Sequence, residues 1–345
     1  MDPWRWEAWS GLMQSVAPST QKAYRTAMAK FAKFREDAGY GSGWLVSEEE
    51  VIHFIVQQRR ARVSTQAMRI QLAGIAFFSK AAGFCDPCQA YRVRKILKGW
   101  SRQEPKREDT RRPLSYKILC RLTRTLRRIC NLHYEVKLFR AAFITSFFGA
   151  LRLGEVVANA KTDTSGRALQ LGDIAIQGTS MTIKIRRSKT GQGGKGVSLA
   201  IKGSKVGQLC PIRTLTKFLG VWGSTPGLLF IHQDGSPLTR FMAICRGALR
   251  KLGLPHGEFG GHSFRIGAAT AAAGSGIPVD SIKAMGRWRS SVYTSYIRPG
   301  LLLEGPGTAG CSVSYPRRTA GAGERKRSSG GRTRGEQGAN QAMGR

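Results

Sequence analysis

Acidic residues are scarce in this chain. Only 21 of its 345 residues are Asp or Glu, against 56 Lys and Arg, and the formal net charge at pH 7 is +35. Solubility does not require such an excess, which predicts a polyanionic partner, most commonly DNA or RNA. A basic protein of membrane surfaces is the rival interpretation, but neither an amphipathic anchor helix nor a lipidation signal is found in the sequence.

Long apolar runs and a regular cysteine pattern are also missing. No stretch reaches the roughly 18 apolar residues of a membrane span, and residues 1–7 contain no apolar segment, so we expect neither a membrane anchor nor a signal peptide. The seven cysteines are scattered and odd in number, which favours a reducing compartment inside the cell. Cys85 and Cys88 form a lone C-x-x-C without a second pair or suitably spaced histidines, so we expect two ordinary thiols and no metal site.

Four amphipathic helices are predicted in the first hundred residues. Helical periodicity begins near Ser19, Ser47 and Glu50 form a capping box that opens a second helix, and Ser64 starts a third. A shorter fourth helix is expected over about 89–100. Four such helices make a compact bundle, and the basic side chains on its exposed face suit a clamp on DNA. The candidates for DNA contact on this bundle are Lys22, Arg25, Arg59, Arg60 and Arg69.

The following two hundred residues predict a second, mainly helical domain with a small antiparallel sheet. Residues 181–185 alternate between apolar and polar, and so do residues 197–201, so these segments predict a β-hairpin with a glycine-rich tip. The last helix of this domain is expected over 290–297. The hairpin also carries basic residues that are candidates for DNA contact, Arg186 and Arg187.

Changes in composition predict the domain boundaries. Residues 101–113 are polar, charged and interrupted by proline, which is typical of a linker. After about residue 303, glycine and arginine predominate and too little apolar surface remains for folding, so a nuclear-localisation or DNA-tethering tail and a plain flexible terminus are both compatible with the pattern. The predicted organisation is a leader over 1–17, a helical domain over 18–100, a linker over 101–113, a second domain over 114–303 and a disordered basic tail over 304–345.

Six side chains in the second domain supply the groups needed to break a phosphodiester without a metal ion. Two arginines can hold a phosphate through forked donors, a lysine and a histidine can move protons, an indole can donate a hydrogen bond and a tyrosine can act as the nucleophile. These candidates are Arg152, Lys189, His262, Arg265, Trp288 and Tyr296. Each alone is also compatible with an ordinary structural role, such as a helix ion pair between Arg152 and Glu155.

The strings around these residues resemble the tyrosine recombinases of the phage integrase family, with a closer likeness to the recombinases of eukaryotic DIRS-type retrotransposons and Crypton elements. The strings are GALRLGE at 149–155, RSKTG at 187–191, HSFRIGAAT at 262–270 and GRW at 286–288 running to YIR at 296–298. The likeness covers roughly residues 20–300. Each string alone is a weak motif, but their order behind a basic helical bundle is specific.

The resemblance implies both a fold and an activity. The expected fold class is mainly α with a small antiparallel β-sheet, made of a four-helix SAM-like core-binding domain and an α+β catalytic domain. The expected activity is site-specific recombination of double-stranded DNA in the integration of a mobile element, without metal, ATP or any other cofactor. The resemblance further implies a C-shaped clamp around DNA and a synaptic tetramer. The basic runs of the tail and the absence of a signal peptide predict a nuclear location.

The resemblance also assigns a role to each candidate. Arg152 and Arg265 would bind the scissile phosphate, and Glu155 would orient Arg152. Lys189 would protonate the leaving 5′ oxygen, with Lys195 across the same turn as its competitor.

His262 would handle protons, and Trp288 stands where many members of the family have a second histidine. Tyr296 would attack the phosphorus and form a 3′-phosphotyrosine. The spacing from Trp288 to Tyr296 is one residue shorter than is usual in the family, so Tyr293 remains a second candidate nucleophile.

Three other functions share some of these features. A non-catalytic DNA-binding relic of such a recombinase would keep the fold, and a type IB topoisomerase would use the same chemistry without strand exchange. An RNA-binding protein would explain the charge, but no RNP or KH-like string is found.

Overall fold

The computed structural model describes residues 2–41, 43, 45–105, 109–158, 166–186, 196–203, 209–223 and 226–301. The chain forms two compact units, Met1–Asp109 and Thr110–Arg345, which divide inside the segment predicted as a linker. Across the described ranges, no helix has the length and apolar character needed to cross a membrane.

The first unit is a bundle of five α-helices in the described residues. They are α1 (Pro3–Gln14), α2 (Pro18–Asp37), α3 (Glu48–Arg60), α4 (Thr65–Ala81) and α5 (Tyr91–Gln103). Helices α2 to α5 confirm the four predicted from periodicity, and their apolar stripes meet in a core around Phe31, Phe54 and Ile75. The capping box is confirmed, because Ser47 Oγ accepts from the Glu50 N–H at 3.2 Å and the Glu50 carboxylate accepts from the Ser47 N–H at 3.3 Å.

Two boundaries of this unit differ from the prediction for physical reasons. The segment expected as a leader contains α1, which packs on the bundle through Trp9 stacked on Phe78, with 6.2 Å between the ring centroids. Helix α5 continues to Gln103, three residues into the expected linker, because the Glu104 carboxylate that follows it accepts from the N–H and the hydroxyl of Thr65 at 2.8 Å each. Both features depend on tertiary contacts that periodicity does not report.

The second unit is mainly helical, with one three-stranded antiparallel sheet in order β1-β2-β3. Its helices are α6 (Tyr116–Thr125), α7 (His133–Phe148), α8 (Leu153–Val156), α9 (Pro211–Trp222), α10 (Phe241–Lys251), α11 (Ser263–Gly274) and α12 (Val279–Gly286). The strands are β1 (Ile174–Gln177), β2 (Ser180–Ile185) and β3 (Val197–Lys202). The predicted β2–β3 hairpin and the fold class, mainly α with a small antiparallel sheet, are confirmed.

Helix α7 runs through the middle of this unit. Nearly all of its residues from Leu138 onward are buried, so this C-terminal part of the helix has no exposed polar face. Its Phe143 ring lies 4.7 Å from Phe241 of α10 and 5.6 Å from Phe264 of α11, between ring centroids. The C-terminal end of this buried helix leads directly into the turn that carries Arg152.

The segment expected as a last α-helix over 290–297 is instead a short 3₁₀ helix, Ser291–Tyr296. The Thr294 hydroxyl donates to the Ser291 carbonyl at 2.8 Å, and the Ser295 hydroxyl donates to the Val292 carbonyl at 2.7 Å. Such side-chain hydrogen bonds to the preceding turn compete with the α-helical pattern, so the segment takes the tighter form.

Candidate active site

The turn after α7 positions the first candidate arginine. Ala150 adopts φ +42°, a left-handed conformation that residues with a side chain rarely adopt. Arg152 then caps α8: its backbone N–H donates to Glu155 Oε2 at 2.8 Å, and its Nη1 donates to Oε1 at 3.1 Å. The ion pair considered from the sequence is therefore present, and it fixes a guanidinium group whose side chain remains 21% exposed.

The second candidate arginine, Arg265, lies in the first turn of α11 and is only 1% exposed. Its Nη1 donates to the carbonyl of Ala150, and its Nη2 donates to the carbonyl of Gly286 at 2.9 Å. Burial, followed by the charges of Arg287 and Arg152, lowers the pKa of Arg265 to about 10, so it remains a cation at neutral pH.

One buried carboxylate holds two arginines at this site. Glu155 is 3% exposed. Its Oε1 accepts from Arg152, and its Oε2 accepts from Arg287 Nη2 at 2.6 Å. With Arg265, three guanidinium groups face one carboxylate, so two positive charges exceed the local negative charge. A surplus of this kind favours an anionic group such as a phosphate.

Aromatic rings cover Arg265. Its guanidinium carbon lies 4.8 Å from the ring centroid of Trp288 and 5.4 Å from that of Tyr296, and these two rings are 4.9 Å apart. Gly286 allows this packing, because a Cβ at that position would lie 1.9 Å from the Trp288 ring. We call Arg152, Glu155, Arg265, Arg287, Trp288, Tyr296 and His262 the Arg265 cluster.

The structure brings Tyr296, and not Tyr293, to the other candidates. The Tyr296 hydroxyl lies 3.5 Å from Nδ1 of His262, which is exposed at the start of α11. The Tyr293 ring instead lies against Lys283, whose Nζ is 5.5 Å from the ring centroid.

Several known proteins are similar to this chain, although no family model matches it. It is 25% identical over 315 residues to the integrase/recombinase xerD homolog of Selenomonas ruminantium, with 85% of each protein covered. Among solved structures, the XerH site-specific recombinase bound to palindromic difH substrate matches with a TM-score of 0.57 at 16% identity, covering 82% of this chain and 78% of that one. A lambda integrase dimer bound to a COC′ core site matches with a TM-score of 0.53 at 13% identity, covering 82% and 72%.

The fold is that of the tyrosine recombinases. The Tn1549 transposon integrase in complex with transposon right end DNA has it as well, with a TM-score of 0.57 at 13% identity over 85% of this chain and 94% of that one. Together with the xerD homolog, these structures support the tyrosine recombinase/integrase family. The closer likeness to eukaryotic DIRS and Crypton recombinases remains a prediction.

The structure describes only some of the remaining sequence candidates. Lys189, its competitor Lys195 and Arg187 lie outside the described residues. Arg186, at the end of β2, donates from Nε to Asp173 at 2.6 Å, so this candidate for DNA contact already has a carboxylate partner.

The bundle candidates fall into two groups. Arg59 donates to Glu104 at 3.2 Å and lies 5.7 Å from the ring centroid of Trp100, so it already has partners within the chain. The other four are exposed and form no ion pair within the described part of the chain; we call Lys22, Arg25, Arg60 and Arg69 the exposed bundle cations.

Arg287 is the residue that the sequence did not single out. It stands next to Trp288 in one of the resembling strings, but its side chain reaches Glu155 from a left-handed backbone with φ +58°. Neither that conformation nor a contact across 132 positions is visible in a linear pattern. Its adjacency to Trp288 was the only available signal.

Proposed function

We propose that this chain is a site-specific DNA recombinase or integrase that cleaves and rejoins double-stranded DNA through a covalent bond to Tyr296. The observation that carries the proposal is the Arg265 cluster, in which two arginines, a histidine and a tyrosine separated by up to 144 positions come together on the tyrosine recombinase fold. The name of the xerD homolog and the DNA in the XerH and lambda integrase structures support it.

In this proposal the arginines bind the scissile phosphate. Arg152 offers a partly exposed guanidinium that Glu155 holds in one orientation. Arg265 Nε is buried and has no hydrogen-bond partner among the described residues, and a phosphate oxygen would satisfy this donor once the covering rings of Trp288 and Tyr296 shift. Donors fixed before the reaction stabilise the charge that develops on the phosphate oxygens.

The proposed chemical step exchanges one phosphodiester for another. Tyr296 Oη forms a bond to phosphorus as the bond to the 5′ oxygen breaks, which leaves a 3′-phosphotyrosine and a 5′-hydroxyl. His262 is close enough to take the phenol proton, and Lys189 is the proposed donor to the leaving oxygen. Because the number of phosphodiester bonds is unchanged, the step needs neither ATP nor a metal ion as a reactant.

Attack by the 5′-hydroxyl of a partner strand on the phosphotyrosine reverses the step and exchanges strands. We extend the proposal to a synaptic tetramer, since two duplexes present four strands to be cut. The basic runs at 317–318 and 325–327 support a nuclear location, and the resemblance to DIRS and Crypton recombinases supports a role in integrating a mobile element.

Incubation of the full-length chain with a nicked suicide DNA that carries a candidate element terminus tests the proposal. A DNA adduct that withstands denaturing electrophoresis and disappears after protease digestion is the expected result. A covalent tyrosine–DNA adduct without a recombinant product, together with relaxation of supercoiled plasmid, would favour a type IB topoisomerase. DNA binding with no adduct on any terminus would favour the non-catalytic relic.

A further inference from the structure

The N-terminal half of α7 lines a pocket of about 680 Å³ whose charged lining residues are all lysines and arginines. Among the described residues that line this pocket, none is Asp or Glu and five are Lys or Arg. We call it the basic pocket; its charged lining is Arg127, Lys137, Arg140, Arg213 and Lys217.

Four of these five side chains lie on α7 and α9, the two helices that line most of the basic pocket. Lys137 and Arg140 are three residues apart on α7, and Arg213 and Lys217 are four residues apart on α9, so each pair shares one helix face. The neighbouring acid on α7 is directed elsewhere, because Glu135 accepts from the N–H of Gln233 at 3.2 Å and lies 2.9 Å from His232 Nδ1.

Some arginines of this unit have a carboxylate partner, whereas the cations of the basic pocket have none among the described residues. Arg112 pairs with Glu258 at 2.5 Å, and Arg186 pairs with Asp173 at 2.6 Å. None of the five basic-pocket cations forms an ion pair within the described ranges of the chain.

The surroundings of Arg140 disfavour its positive charge. Arg140 is half-buried, and burial, followed by the charge of Arg127, lowers its pKa. A bound anion would offset both effects, because it replaces the lost hydration and screens the repulsion between like charges.

The basic pocket is separate from the Arg265 cluster. The two share no residue, and they lie toward opposite ends of α7. Nine positions separate Arg140 from Gly149, which corresponds to about 13 Å along a helix axis. A phosphate held in the basic pocket is therefore not the phosphate that Arg152 and Arg265 would hold.

We propose that the basic pocket is a second phosphate-binding site, distinct from the site of strand cleavage. Forked arginine donors and lysine ammonium groups are the side chains that proteins use for phosphate, and Thr214 adds a hydroxyl to the lining. The ligand is a chain of phosphate groups, either the backbone of DNA outside the cleavage point or a free polyphosphate. The anion site itself does not depend on the proposed cleavage chemistry.

Calorimetric titration of the full-length chain with sodium triphosphate tests the site without DNA or catalysis. The variant Arg140→Gln/Lys217→Gln should bind triphosphate at least about tenfold more weakly, the scale of one missing charge-assisted hydrogen bond. The matched control Arg250→Gln/Lys251→Gln removes the same charge from the exposed end of α10 and should bind like the parent protein. Equal affinity in the two variants would overturn the proposal.

Arg140 is half-buried, so its replacement could disturb folding and thereby weaken binding indirectly. A second variant avoids this ambiguity. Arg213→Gln/Lys217→Gln changes only exposed positions on α9 and should weaken triphosphate binding to a similar extent. If this variant keeps parental affinity, the basic pocket is not the phosphate site.

Salt-dependent binding of a DNA duplex then distinguishes the two sources of phosphate. If the ligand is the DNA backbone, Arg213→Gln/Lys217→Gln should bind DNA with a less steep slope of log K against log salt than the α10 control does. The difference should be about 0.9 for each phosphate that the variant no longer neutralises. If the ligand is a free polyphosphate, this slope should match the control while triphosphate binding still falls. No change in either measurement would contradict the proposal, and since neither involves a covalent adduct, such a failure would leave the proposed recombinase activity untouched.

Discussion

The Arg265 cluster and the exposed bundle cations both carry surplus positive charge, yet they hold it in opposite ways. In the cluster, backbone carbonyls and the Glu155 carboxylate fix each guanidinium, and Arg265 is almost wholly buried. On the bundle, Lys22, Arg25, Arg60 and Arg69 extend into solvent. Fixed donors stabilise a particular charge distribution, as a transition state requires, whereas mobile surface cations attract any phosphate backbone and are screened by salt.

The largest expected effect comes from removing a fixed donor. Arg152→Ala should slow formation of the covalent DNA adduct by at least about a hundredfold, the scale for loss of one preorganised transition-state donor. DNA affinity should fall far less, since many other cations are proposed to contact the DNA backbone. Single-turnover cleavage and equilibrium binding, measured on the same DNA, check both statements.

Arg250→Ala, at the exposed end of α10, is the control for this loss of one positive charge. Adduct formation at the parental rate in Arg152→Ala would make Arg152 a structural residue and remove it from the proposed site. Arg265→Ala is expected to slow the step to a similar extent, but its burial makes Arg152 the cleaner test.

Glu155→Gln should separate charge from shape within the cluster. The amide keeps the size of the side chain but leaves Arg152 and Arg287 without their buried counter-charge, so the free energy of unfolding should fall by about 3 kcal/mol. Chemical denaturation of the second unit measures this. Glu258→Gln, which breaks the exposed pair with Arg112, should cost less than about 1 kcal/mol, as exposed ion pairs do.

A similar loss of stability in the two glutamine variants would mean that Glu155 is not the organising carboxylate of the cluster. Cleavage should also slow in Glu155→Gln, because Arg152 loses the partner that orients it.

The smallest effect per residue is expected on the bundle. The full chain should bind DNA with a slope of log K against log salt of about −6 or steeper, and each of the four exposed bundle cations changed to Gln should reduce the steepness by about 0.9. Arg92→Gln is the control, because Glu48 and Glu49 already neutralise that guanidinium at 3.0 and 2.7 Å. An unchanged slope in the fourfold variant would show that the bundle is not a DNA clamp.

Local patterns in the sequence were sufficient to predict most elements of this fold. The capping box at Ser47 and the alternation along β2 and β3 depend on hydrogen bonds and burial within a few residues, so the linear sequence contains them. Helix α1 and the four-residue strand β1 were missed, because the first depends on the contact between Trp9 and Phe78 and the second is too short to show alternation.

The candidate site was predictable in its residue types but not in its geometry. The strings around Arg152, His262, Arg265 and Tyr296 were found because their order resembles a known family. The role of Arg287 depends on its left-handed backbone, and the covering of Arg265 by two rings depends on the missing Cβ at Gly286; no spacing rule contains either feature. The sequence alone could not show which of Tyr293 and Tyr296 lies beside His262, because both tyrosines lie on the same short 3₁₀ helix.

The choice of nucleophile tests the central proposal most directly. The parent protein, Tyr296→Phe and Tyr293→Phe should each be incubated with the same suicide DNA, with DNA affinity measured in parallel. We expect the covalent adduct to be absent in Tyr296→Phe and present in Tyr293→Phe, with nearly unchanged affinity in both. In the proposed mechanism the arginines hold the phosphate, and the Tyr296 hydroxyl lies 3.5 Å from His262 Nδ1, whereas the Tyr293 ring lies against Lys283. An adduct that persists in Tyr296→Phe and vanishes in Tyr293→Phe would contradict the proposed mechanism.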